Sequence, residues 1–376
     1  VEVIEREFSN IGLFSDIHFG KSRDSALKLE LCSNFVKWLA EDIKEREIDA
    51  LVFGGDWFDN RNSISVMTIN HAYDSLKLLA KECPVFLIVG NHDSTLKTGL
   101  SINSLRQFND IPNVHIVETE TLLKLPSCNI MMCPWERLKS IQGLSSKDRP
   151  DVLVGHFEFN GASLFNHVFD SSDVEIDDIS EVSPLVFAGH FHVRKEYSTK
   201  GGKIITIGSP FELDWGDINN HKGYYSLDCK TKNYTFVRNT KSPIHIKIYM
   251  SKAKADIDSL ETYDITGNYV KLLIDEKFEY DDLSKVIEKI NSFNPLRTCF
   301  IEYLYTINFK TATTDESKML ISKRHSIEMS MLDYVKKYIE SMDAALFDDI
   351  PRERIATIAE TYFKDSEKKL KDKSKE

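Results

Sequence analysis

The pattern of this 376-residue chain predicts an α/β (α+β) fold: a sandwich of mixed sheets flanked by helices, then a small α+β domain and C-terminal helices. Three observations predict it. Short β-branched runs alternate with helical stretches through the first half, glycine-bearing turns follow several of those runs, and the hydrophobic pattern changes after about residue 240.

The first run, "IGLFSDIH", leads into helical periodicity from Ala26 to Arg46 and then into "ALVFGGDWFD". Helical periodicity returns from Val66 to Ala80 and gives way to "PVFLIVGNHD". In such units strand ends deliver residues to loops. "DVLVGHFEF" and "SPLVFAGHFH" repeat the arrangement, and Gly201 and Gly202 between "KEYST" and "KIITIGS" signal a hairpin.

From His245 to Thr306, "IHIKIYM", "YVKLLID", a helical stretch from Asp282 to Asn291 and "TCFIEYLYT" predict a small α+β domain with two or three strands. The polar "NFKTATTDESK" reads as a linker. Beyond it Leu332, Val335, Ile339 and Met342, then Ile355, Ile358 and Tyr362, recur at helical spacing, with Pro351 placed near a helix start. The expected segments are 1–240 for the main domain, 241–308 for the small domain, 309–324 for the linker, 325–366 for the helices and 367–376 for a charged tail.

An apolar fraction of 41% is enough for a real core. With no run of about 18 apolar residues, and a charged rather than apolar start, the chain reads as a soluble cytoplasmic protein without a membrane partner. Six scattered cysteines lack any C-x-x-C spacing, which disfavours a zinc ribbon and suits a reducing compartment. The net charge of −11 argues against a generic polyanion binder, so a nucleic-acid substrate needs bound cations and local basic patches.

Five motifs, each after an apolar run, carry metal-ligand residue types. They are "SDIHFG" with Asp16 and His18, "GGDWFDNR" with Asp56 and Asp59, "VGNHDS" with Asn91 and His92, "VGHFEF" with His156, and "AGHFHV" with His190 and His192. Carboxylate, imidazole and amide oxygen together make an O/N shell suited to Mn²⁺, Fe²⁺ or Zn²⁺. D-x-H and H-x-H present two side chains from one face of an extended segment. Singly, Asp16 or Asp56 also fits a helix cap, Asn91 a turn and His156 a satisfied histidine. Five in this order are not explained that way.

This order resembles the calcineurin-like metallophosphoesterase superfamily, over residues 16–192. "AGHFH", "TIGSPFELDWGD" and "KGYYSLD", with the small domain and helical tail, are similar to the SbcD-type DNA repair and recombination nucleases, particularly the phage recombination endonuclease subunits. The resemblance implies two divalent metal ions, Mn²⁺ foremost, with Mg²⁺, Fe²⁺ and Zn²⁺ as alternatives. One is held by Asp16, His18, Asp56 and His192, the other by Asp56, Asn91, His156 and His190, with Asp56 bridging. It implies in-line hydrolysis of a phosphodiester, with His92 protonating the leaving oxygen or steadying the phosphate.

Asp59 departs from the pattern of many SbcD-type nucleases, which carry histidine there; the expectation is that Asp59 orients His92. Trp57, Phe58, Arg61, Phe157 and Trp215 lie near the motifs, the aromatics reading more as packing than as nucleotide contacts, and His221 and Lys222 read as an ordinary turn.

The resemblance further implies DNA as substrate, an SbcC-type coiled-coil ATPase subunit bound through the C-terminal helices, and a homodimer formed through the nuclease domain. A phage-encoded chain would act in the host cytoplasm. The competing readings are a phosphoprotein or cyclic-nucleotide phosphoesterase with the same metals, and a metal-free protein-binding scaffold.

Overall fold

Period-two alternation puts Ile11 and Leu13 on one face of a strand and Phe14 on the other, and both faces are buried. The computed structural model describes residues 1–95, 100, 102–141, 149–164, 167–276, 278, 280–297 and 300–304. The strand Asn10–Phe14 sits in a six-stranded sheet with Ala50–Phe53, Val85–Ile88 and Val114–Val117 parallel on one side. Gly223–Asp228 and Tyr234–Arg238 extend it antiparallel on the other side.

A seven-stranded sheet packs against this one. It runs in the order Glu2–Glu5, Thr121–Lys124, Asn129–Cys133, Val152–His156, Leu185–Gly189, Lys203–Thr206 and Lys195–Ser198. Ile11, Leu13, Val52 and Phe86 from the first sheet share a core with Ile130, Val154, Phe187 and Ile205 from the second. The helices Ala26–Glu45 and Val66–Glu82 cover the outer face of the six-stranded sheet, burying Phe35, Leu39, Leu76 and Leu79 against Phe14, Leu51 and Phe53. Helix Ile176–Val182 covers the other outer face through Ile179 and Val182. The expected sandwich of mixed sheets with flanking helices is therefore what forms.

A separate three-stranded parallel sheet, His245–Tyr249, Tyr269–Ile274 and Phe300–Tyr303, packs with helix Tyr280–Ser292 around Ile248, Leu272, Leu283 and Val286. A short helix, Met250–Ala255, follows the first strand directly, where the apolar pattern gives no sign of one. At the junction Glu212 accepts hydrogen bonds from the His245 main-chain N–H at 2.6 Å and its ring Nδ1 at 3.0 Å. The last residues of the expected 241–308 segment, the 309–324 linker, the 325–366 helices and the 367–376 tail lie outside the described residues.

Among the described residues no helix is long and apolar enough to cross a membrane. The cysteines among them are free and buried.

Candidate metal centre

Strands that lie side by side end at the same edge, and their next residues meet there. Asp16 and His18 follow the strand Asn10–Phe14, Asp56 follows Ala50–Phe53, and Asn91 and His92 follow Val85–Ile88. His156 closes its own strand, and His190 and His192 follow Leu185–Gly189. Asp16, His18, Asp56, Asn91, His92, His156, His190 and His192 meet at this edge.

The loops are knitted by main-chain bonds: Asp16 N–H to Gly55 O at 3.0 Å, His18 N–H to Asp56 O at 3.2 Å, and Phe19 N–H to Trp57 O at 2.8 Å. Asp16, His18, Asp56 and His190 adopt left-handed backbone, with φ of 56°, 52°, 63° and 86°. That conformation costs L-residues free energy and persists only where surrounding contacts impose it. Gly90 is required for closure: a Cβ there would lie 2.3 Å from Asp56 Oδ1.

Two groups of ligand atoms result. Nε2 of His18 and Nε2 of His192 are 3.0 Å apart, and Asp16 Oδ1 is 3.9 and 4.0 Å from them. In the other group Asn91 Oδ1 is 2.8 Å from His156 Nε2 and 3.0 Å from His190 Nδ1. Asp56 Oδ2 stands between the groups, 3.8 Å from His18 Nε2 and 3.4 Å from His156 Nε2. His156 donates from Nδ1 to Gly54 O at 2.7 Å, which leaves its Nε2 lone pair facing the site.

The electrostatics are those of a site built for cations. Burial raises the Asp16 carboxyl despite His156 and His18. For Asp56 burial is outweighed by His156 and His18, which hold it well below its ordinary value. His156 is correspondingly raised to about 9, Asp56 overcoming burial. Burial and the neighbouring His156 push His190 down to about 3, and burial and His18 push His192 far down, so both stay neutral and free to ligate. Facing ring nitrogens, buried carboxylates and an amide oxygen, with negative charge that draws positive charge toward His156, fit a pair of divalent ions with O/N ligands.

Asp59 reaches His92 by a different route from the one expected. His92 Nδ1 donates to the Asp59 main-chain oxygen at 2.6 Å. The Asp59 carboxylate instead lies 3.4 Å from His18 Nδ1 and 3.8 Å from Lys21 Nζ.

Lys222 corrects the reading of an ordinary turn. Its side chain is buried, with Nζ 2.6 Å from Asp217 Oδ1 and 2.5 Å from the His192 main-chain oxygen. Asn220 pairs both main-chain groups of Arg194, so segment 217–222 holds the His192 loop from behind. Asp93 is a further residue that the motifs do not single out. Its buried carboxylate accepts N–H bonds from Asp56, Trp57, Phe58 and Gly90 at 2.9–3.3 Å and ties two site loops together.

Trp57 and Phe58 are fully buried packing residues, against Phe14, Phe53 and Phe108. Trp215 packs on His245 at the small domain. Trp135, which the motifs also leave out, lies against His190 with ring centroids 5.1 Å apart. It too follows an apolar strand, the signal that would have found it.

Fold and site together define a metallophosphoesterase. Residues 9–194 match the calcineurin-like phosphoesterase family, so this part of the chain is a calcineurin-like metallophosphoesterase domain. The chain is similar to exonuclease subunit 1 of Enterobacteria phage T4, at 28% identity over 287 residues covering 73% of this chain and 81% of that protein. It is similar to the DNA double-strand break repair protein Mre11 of Sulfurisphaera tokodaii, at 23% identity covering 86% of this chain and 87% of that one. With one of the subunits of the nuclease SbcCD from Bacillus subtilis it shares 25% identity, covering 57% of this chain and 54% of that one.

Proposed function

We propose that this chain is a two-metal DNA nuclease, acting as an exonuclease on duplex ends and as an endonuclease on single strands or hairpins. The carrying observation is two ligand groups with Asp56 standing between them, and a third grouping of His18, Asp59 and His92 that brings His92 beside them. The names of its relatives, an exonuclease subunit, a break-repair protein and a nuclease subunit, support DNA as the substrate.

Asp16, His18, Asp56 and His192 would hold one divalent ion, and Asp56, Asn91, His156 and His190 the other, with Mn²⁺ the expected metal. Bound ions supply an activated water and neutralise charge on the phosphodiester. The remaining work belongs to side chains. Asp56 Oδ1 accepts the His92 main-chain N–H at 2.8 Å, which ties the shared carboxylate to the segment that carries the proposed proton donor. His92 keeps its Nδ1 proton on Asp59 O and gives the other to the departing sugar oxygen.

The 325–366 segment is the proposed docking element for an SbcC-type coiled-coil ATPase, working in recombination and break repair in the cytoplasm, or a host's cytoplasm. Val66, Met67 and Tyr73 are exposed on helix Val66–Glu82, and that face is the proposed dimer contact.

End-labelled duplex and single-stranded DNA, incubated with the purified chain and Mn²⁺, Mg²⁺ or chelator beside a small aryl phosphodiester, tests the reading. Mn²⁺-dependent DNA cutting that disappears in Asp56→Asn supports it. Turnover of the small ester with DNA intact, even with the ATPase partner added, selects the phosphoesterase alternative.

A further inference from the structure

Beside the ligand histidines lies a cavity of about 400 Å³, within the size range of small-molecule sites. Its wall is formed by the turn after strand Asn129–Cys133 and the turn after Val152–His156, which bring Trp135 and Phe157 into it. It shares that wall with the candidate centre. The Trp135 ring lies 5.1 Å from His190 and 5.8 Å from His156, and Glu158 Oε2 is 3.7 Å from His190 Nε2.

The charge of the cavity decides what it can take. Glu136, Glu158 and Asp173 line it, and Lys139, the basic residue of the lining, is 3.3 Å from Asp173. This surplus of carboxylate repels phosphate. A flat uncharged group with N–H donors suits both the aromatic wall and the acceptors.

We propose that this cavity is a nucleobase subsite: an unpaired base next to the scissile phosphate stacks on Trp135, and Glu136 and Glu158 accept hydrogen bonds from its N–H edge. The proposal rests on the nuclease reading above. Aromatic side chains stack bases of any sequence, and carboxylates then discriminate by donors. Guanine offers N1–H and its amino group side by side to one carboxylate. Cytosine and adenine offer an amino group beside an acceptor. Thymine offers one N–H flanked by carbonyl oxygens that a carboxylate repels. The expected order is guanine first and thymine last. The same edges are consumed in Watson–Crick pairs, so the subsite selects single strands, hairpin loops and frayed ends.

The test is equilibrium binding of dGMP, dTMP and deoxyribose 5-phosphate to the full chain with Mn²⁺, by calorimetry, alongside the DNA digestion. Stacking and carboxylate pairing predict dGMP binding about tenfold or more tighter than deoxyribose 5-phosphate, with dTMP between them. Glu136→Gln/Glu158→Gln should collapse the dGMP preference over dTMP, and dTMP affinity in that variant separates lost recognition from a lost fold. Equal binding of the three ligands overturns the subsite, as does a preference that survives the double variant. DNA cut with equal ligand binding sinks the subsite and leaves the nuclease reading standing. A base preference without DNA cutting does the reverse.

Discussion

His92 is held by the main chain of Asp59, whose carbonyl oxygen lies 2.6 Å from Nδ1, while the Asp59 carboxylate faces His18 at 3.4 Å. The two residues therefore act on different parts of the site. His92→Ala removes the proposed proton donor and leaves every proposed metal ligand in place. The expected result is a fall in kcat of roughly 10²–10⁴-fold with Mn²⁺ stoichiometry unchanged, read by single-turnover cleavage and metal titration.

Asp59→Asn should behave differently, because the acceptor for His92 survives the substitution. What changes is the environment of His18 Nδ1, a buried atom with no good hydrogen bond of its own. Partners of this kind orient a ligating imidazole, and losing one weakens metal binding by roughly 10–100-fold. Cleavage by Asp59→Asn should therefore recover as Mn²⁺ is raised. A rate loss that no concentration of metal repairs would show the carboxylate acting on His92 after all.

Lys222 and Asp217 form a buried ion pair, their side chains 4% and 0% exposed, behind the His192 loop. Lys222→Met leaves Asp217 charged and unpaired out of water, a loss of about 3–5 kcal/mol. Urea denaturation should show that drop, and Lys222→Met/Asp217→Asn should regain part of it. A single variant as stable as the parent would mean that Asp217 finds water or another donor.

These residues mark what the sequence could and could not disclose. The strand–helix rhythm was legible because buried strands such as Ala50–Phe53 and Val85–Ile88 read as apolar runs bounded by glycine or proline. The proposed ligand residues were legible because each closes such a run or follows it within a few positions. Lys222 was not, since its meaning comes from the oxygen of His192, 30 positions away, and no local pattern announces a buried lysine. Asp93 hid for the same reason: the N–H groups of Asp56, Trp57 and Phe58 that it serves belong to another loop. Asp59 misleads because spacing reports side chains, and the atom that meets His92 is a carbonyl.

His115 offers a pH test well removed from the ligand set. It stacks on Phe86 with ring centroids 4.9 Å apart, and burial, with Arg6 nearby, lowers its pKa below the ordinary 6.5. A depressed histidine pKa means that the unfolded chain takes up the proton first. Its stability contribution is thus intact above pH 6.5 and is lost as pH falls toward the folded value. The stability difference between the parent and His115→Phe should shift in favour of the variant as pH drops through that window. Denaturant midpoints of both proteins across the window measure it, and a difference independent of pH would rule out the linkage.

Metal removal should be felt by the whole domain. Asp16, His18, Asp56 and His190 hold left-handed backbone beside buried carboxylates, a frame that costs about 1 kcal/mol or more per residue. Ions that bind this frame and not the unfolded chain offset that cost by mass action, by about 2.7 kcal/mol for each site held at a hundred times its dissociation constant. Chelator should accordingly lower the thermal midpoint of the parent, and Mn²⁺ should restore it in two saturable steps. Because Asp56 lies between both ligand groups, Asp56→Asn should abolish both steps together, whereas Asn91→Ala should remove only the one that belongs to His156 and His190. An Asp56→Asn protein that keeps the full Mn²⁺ response would place the ions somewhere other than this centre.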